Sequence, residues 1–200
     1  MLITIFSLIV LLFSVILHEV AHGSMALKLG DSTAKFAGRL TLNPLKHIDL
    51  FGTIILPASL VLTGSPFVVG WAKPVPVNPY NFRDQRWGSL KVSLAGPLVN
   101  FSLAVVFGFL IRFVALPETT LTLFSFIVIY NFVLALFNLI PIPPLDGSHV
   151  LFSVLPARFN AFKIFLHQYG MFILLALMLS GGLDIVFRGA MFLYYLIAFA

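Results

Sequence analysis

The chain has 200 residues, of which 60% are hydrophobic and only 10% charged, with 22 phenylalanines and a mean hydropathy of +1.06. That balance excludes a water-soluble domain and points to a single membrane-embedded, all-α domain over residues 1–200. The net charge of +5 sits largely in short loops, where it orients a chain in the bilayer and gives no basis for nucleic-acid binding; the lack of cysteine excludes disulfides and thiolate metal ligands.

The first apolar run extends from Leu2 to Leu17 and beyond, near the length that crosses a bilayer as a helix. No Lys or Arg precedes Lys28 and the run exceeds a signal-peptide core, so the segment is expected to stay in the mature protein. Within it stands His18-Glu19-Val20-Ala21-His22. Two histidines at this spacing project from one helix face about one turn apart and can share a zinc ion, with the intervening Glu19 as general base. The bland alternative is a set of satisfied core side chains. Three ionisable residues in one turn are costly in hydrocarbon unless they pair or ligate, which favours the metal.

The next loop carries Lys28, Lys35, Arg39 and Lys46 against Asp31 and Asp49. Within it, Gly38 to Asn43 alternates polar and apolar residues and is stopped by Pro44, which predicts a short strand, half of a hairpin with Ala34 to Ala37. Beside a membrane cleft such a strand offers an edge for another chain to pair with. The apolar segment Leu50 to Val69 is followed by a second basic loop with Lys73, Arg83, Arg86 and Lys91. Two basic loops place both ends of that segment on the cytoplasmic side, so it is expected to dip in and return, with Pro57, Gly52 and Gly64 permitting the break. The alternative is an ordinary crossing. Trp71 and Trp87 suit the interface, and Lys73 to Pro79 is expected to be extended by its prolines.

Further apolar segments run from Leu90 to Leu116, Leu121 to Ile140, Phe162 to Leu179 and Leu183 to Ala200. The expectation is about five transmembrane helices plus a re-entrant or sixth helical segment. Asn131 and Asn138 share a helix face, and Asn100 follows Gly96-Pro97; all three are candidates for a water path, Asn131 being read first as an interhelical hydrogen bond. Pro141, Pro143 and Pro144 then break the helix after Ile140, and Asp146-Gly147 opens a new one. Asp146 is either a helix-terminal cap or the third ligand of a two-His, one-carboxylate zinc site with an open position for water. With residues 50–69 re-entrant, the helix ending at Ile140 delivers Asp146 to the same side as His22. His149 could face the same site, while His47 and His167 lie near the interfaces.

Taken together, His18-Glu19-xx-His22, Gly38-Arg39-Leu40-Thr41-Leu42-Asn43-Pro44, Gly70-Trp71-Ala72-Lys73-Pro74-Val75-Pro76-Val77-Asn78-Pro79, Ala95-Gly96-Pro97-xx-Asn100 and Asn138-xx-Pro141-xxxx-Asp146-Gly147 resemble the site-two protease family, in a compact prokaryotic form without an inserted PDZ or CBS domain. The resemblance implies intramembrane proteolysis with one zinc ion per chain on His18, His22 and Asp146. It further implies Glu19 as base and Asn138 near the centre, helping to hold the substrate or transition state. The implied partners are the lipid bilayer and a single-span membrane protein or membrane-retained peptide, selected through an upstream protease or an adaptor. The implied location is a multi-pass protein of the cell membrane with its active site toward the cytoplasm. A zinc transporter is the competing class, but it needs a polar path across the membrane, and the outer halves of these helices are apolar.

Overall fold

The computed structural model describes residues 2–63 and 72–199. A run dominated by Leu, Ile, Val and Phe ahead of His18-Glu19 gives α1, Leu2–Lys28. It ends because Gly30, at φ +109°, turns the chain so that the Asp31 N–H closes on the Ala26 carbonyl at 2.9 Å. A helical turn, α2 (Thr33–Phe36), follows, and after it a π-helical stretch Leu50–Ile55 runs into α3, Leu56–Leu62. The Asp49 carboxylate starts that stretch by accepting the Gly52 N–H at 2.7 Å.

The bundle proper consists of α1, α4 (Gly88–Phe113), α5 (Glu118–Asn138) and α8 (Asp184–Ala198). Its core is a buried cluster of Ala104, Ile111, Val128, Phe132, Ala190 and Tyr194 from α4, α5 and α8. Small residues let the backbones approach: a Cβ on Gly108 would lie 2.7 Å from Ile197. At the other end Ala26 of α1 packs with Phe82 and with Val92 of α4, so the chain enters α4 at the end of the bundle where it left α1.

Three prolines end α5 as the sequence predicts, and α6 (Asp146–Val154) begins at the expected residue. Gly147 is required there, because a Cβ would sit 2.2 Å from the Leu139 carbonyl oxygen. The turn is backed by α7 (Asn160–Leu179), whose Gly170 lies against Pro143.

Two expectations change. Among the described residues four helices are long and apolar enough to cross a membrane: α1, α4, α5 and the stretch 157–179 that contains α7. The run from Leu183 yields only the 15 residues of α8, about 22 Å at 1.5 Å per residue and short of a ~30 Å hydrocarbon core. Residues 50–62 likewise span only about 20 Å of helix. The rest of the proposed re-entrant segment, Gly64 included, and Gly70 and Trp71 lie outside the described residues.

The predicted hairpin is absent. Residues 33–36 are helical and no strand occurs among the described residues. The extended chain beside Arg39 to Asn43 is Lys73 to Asn78, and Pro74 and Pro76 have no N–H to give a ladder. Single ties replace it: the Lys73 N–H donates to the His47 carbonyl at 2.9 Å, Arg39 donates to the Lys73 and Pro74 carbonyls, and His47 Nε2 donates to the Thr41 carbonyl at 2.8 Å.

The far end of that strap is knotted at Asp31, which is fully buried. Its carboxylate accepts from the Thr33 hydroxyl and N–H, the Asn78 N–H at 2.7 Å and the Asn81 amide at 2.8 Å. Burial works against the charge, but these four donors outweigh it and hold the pKa below the ordinary carboxylate value. A depressed folded-state pKa contributes stability above the unfolded value near 4, and that contribution is lost as pH falls through the folded value. Asp31→Asn is therefore expected to melt below wild type at pH 6, with the gap narrowing below about pH 4 in detergent unfolding scans. A gap independent of pH would reject the charge-based account.

Candidate metal centre

His18 and His22 lie four residues, about one turn, apart on the buried face of α1, with His22 about 9 Å of helix before Lys28. Their rings meet edge to face with centroids 4.6 Å apart. Asp146, the first residue of α6, does not cap its own helix; its Oδ2 lies 3.0 Å from His18 Nε2 and 3.2 Å from His22 Nε2. The capping alternative is therefore not what the carboxylate does. The three side chains form the candidate metal-holding group among the described residues, as the sequence spacing suggests.

Hydrogen bonding fixes which ring nitrogens face the centre. His22 Nδ1 is 2.7 Å from the Val92 carbonyl, a pure acceptor, so Nδ1 carries the proton and Nε2 of the neutral ring is a lone pair. His18 Nδ1 is 2.6 Å from Asn100 Oδ1 and is likewise the donor. Two lone pairs and a carboxylate oxygen therefore converge on one space. Such an arrangement repels itself unless a cation or an added proton lies among the three. The spacing near 3 Å matches the edge of a tetrahedron with metal–ligand bonds of about 2.0–2.1 Å, and N/N/O donors without thiolate suit zinc. The residues fit the metal.

The room for this comes from Gly96 on α4. A Cβ there would lie 2.5 Å from His22 Nε2 and 2.6 Å from His18 Nε2. Next to it, Pro97 denies the Ser93 carbonyl its helical partner, and Ser93 lines the same cleft.

The cleft holds about 370 Å³ and reaches Glu19, Asn138 and His149. Glu19 Oε2 accepts the Val75 N–H at 2.7 Å, so the strap crosses directly over the base candidate. Asn138 Nδ2 donates to the Leu134 carbonyl at 2.9 Å while the residue lines the cleft. His149 shares the cleft but is not in the three-residue group. His47 is buried against Thr41, and His167 lines a separate cavity with Pro143 and Met171. Asn131 is fully buried and bonded across helices, so it lines no water path. Val75, Val92 and Gly96 are contributions that sequence reasoning did not assign. Gly96 carried a signal, since glycine inside a helix is disfavoured unless something must come close.

A buried two-histidine, one-carboxylate cluster in a multi-pass helical bundle, open to a cleft with a glutamate beside it, defines a membrane-embedded metallohydrolase. The model of Peptidase family M50 matches residues 6–119 and 115–180, and the chain belongs to this family, the site-two proteases. It is a zinc metalloprotease, which sets aside the transporter class. The chain is 40% identical over 181 residues to YwhC of Bacillus subtilis, covering 86% of this chain and 79% of that one. It is 30% identical over 178 residues to Rip2 of Mycolicibacterium smegmatis, covering 86% and 66%. With MJ0392 of Methanocaldococcus jannaschii the identity is 26% over 157 residues, covering 78% of this chain and 36% of that one. All three carry the name of a zinc metalloprotease. No solved structure matches the chain.

Proposed function

We propose that this protein is an intramembrane endopeptidase that hydrolyses peptide bonds of single-span membrane proteins or membrane-retained peptides, with one zinc ion held by His18, His22 and Asp146. The observation that carries the reading is the convergence of three acceptor atoms, two of them locked as lone pairs, beside a glutamate in an accessible cleft. When bound, zinc supplies a Lewis acid for the peptide carbonyl and for water. Glu19 takes the proton of the attacking water and returns it to the leaving amine; the Val75 N–H holds its carboxylate in place until then. Asn138 presents its amide to the cleft, where it can hold the substrate carbonyl.

Amides of a helical substrate are already hydrogen-bonded, so the substrate must unwind locally before attack. The basic loops favour a cleft that faces the cytoplasm of a cell-membrane protein, and in that orientation the chain leaves α1 and enters α4 at the cytoplasmic end of the bundle. Selection of substrate falls to prior trimming by another protease or to an adaptor.

The function is tested with protein purified in detergent. One equivalent of zinc is expected, together with cleavage of single-span peptides that a chelator abolishes and added zinc restores; metal-free protein that still cleaves would overturn the reading. Sidedness is tested at Ser89, which lines the cleft of a chain that has no native cysteine. Ser89→Cys is expected to react with an impermeant thiol reagent in inverted vesicles and not in intact cells. Labelling from outside would reverse the orientation.

A further inference from the structure

Below the metal centre lies a polar network inside an apolar bundle, built from Ser14 of α1, Asn100 of α4 and Asn131 of α5. Ser14 is 4% exposed, and both asparagines are fully buried. The donors and acceptors of this network can be assigned one by one. Asn131 Nδ2 donates to the Ile127 carbonyl at 2.8 Å and to Ser14 Oγ at 2.9 Å. A carbonyl only accepts, so the Asn131 amide has one orientation and its Oδ1 points the other way. That oxygen accepts from Asn100 Nδ2 at 2.8 Å, while the second hydrogen of the same nitrogen goes to the Ser14 carbonyl at 3.1 Å. Both donors of Asn100 are thereby used, and its Oδ1 is left facing His18 Nδ1 at 2.6 Å. His18 must then donate from Nδ1 and present Nε2 to Asp146 as a lone pair.

We infer that Asn131, which touches neither the cleft nor any proposed ligand, is a positioning residue for the metal site: through Asn100 it holds His18 in the tautomer and ring orientation that ligates. The inference rests on the assignment of His18 as a zinc ligand. Groups that orient a ligating histidine typically change metal affinity 10–100-fold when removed. In a buried site the effect travels well, because an asparagine left half-satisfied pays to find another partner, and the alternatives available to Asn100 are the ring nitrogen it now supports.

The test compares Asn131→Leu, which keeps bulk and removes both roles, with Asn131→Asp, which as the neutral acid favoured by full burial keeps the acceptor for Asn100 and donates its one proton to the Ile127 carbonyl. Zinc affinity is read by chelator competition on detergent-purified protein, and ligand geometry by the visible spectrum of the cobalt-substituted form. N131L is expected to bind zinc about tenfold or more weakly with an altered cobalt spectrum, and N131D to stay within about threefold of wild type with the spectrum preserved. N131L within threefold of wild type, or N131D as weak as N131L, would overturn the inference, since packing alone would then account for Asn131. If N131L yields no folded protein, N131D decides by itself: a tenfold loss there is the overturning result. Wild type and His18→Ala are measured alongside. Tight zinc binding by H18A would remove the ligand assignment beneath the inference, a failure separate from that of Asn131.

Discussion

Glu19→Gln is expected to leave zinc binding intact and to lower peptide cleavage by at least ~10²-fold. The side chain keeps its size and can still meet the Val75 N–H through its amide oxygen, so the strap and the cleft should be retained. What is lost is the ability to accept a proton from water and pass it on. Because Glu19 is not among the three converging donors, metal content measured on the same preparation separates this loss from loss of the site. A variant that cleaves at the wild-type rate would move the base elsewhere, His149 being the titratable cleft residue outside the three-residue metal group.

Gly96→Ala is expected to do the reverse and act on the metal first. Its methyl group would stand 2.5–2.7 Å from His22 Nε2, His18 Nε2 and His18 Cδ2, inside the space the ligand atoms share. The imidazoles cannot retreat far, since their Nδ1 atoms are tied to Val92 and Asn100, both on the same helix as the intruding methyl. Zinc retention through dialysis should fall at least tenfold and cleavage with it, while far-UV helicity is kept, since alanine favours the helix. Full zinc occupancy in G96A would show that the site is wider than drawn.

Much of this was legible in the chain because the relevant patterns are short and chemically costly. His18, Glu19 and His22 stood out against hydrocarbon, and Asp146 stood after three prolines where a helix must restart. The strand at Gly38 to Asn43 misled because alternation records which faces are polar, whereas a ladder needs a partner with N–H groups; the neighbouring segment spends those positions on proline. Span counting misled in a similar way at Leu183, where apolar length exceeded helical length. The tie between Val75 and Glu19 uses a backbone N–H, which every non-proline residue carries, so no residue type could announce it.

His18 and Asp146 meet across 128 residues of chain. During synthesis the first helix is in the bilayer long before the carboxylate has left the ribosome, and until α6 swings in beside α4 the histidine pair offers a cation only two imidazoles. Metal capture is thereby made a late event of biogenesis, and the newborn enzyme stays inert until its bundle has closed around all three side chains.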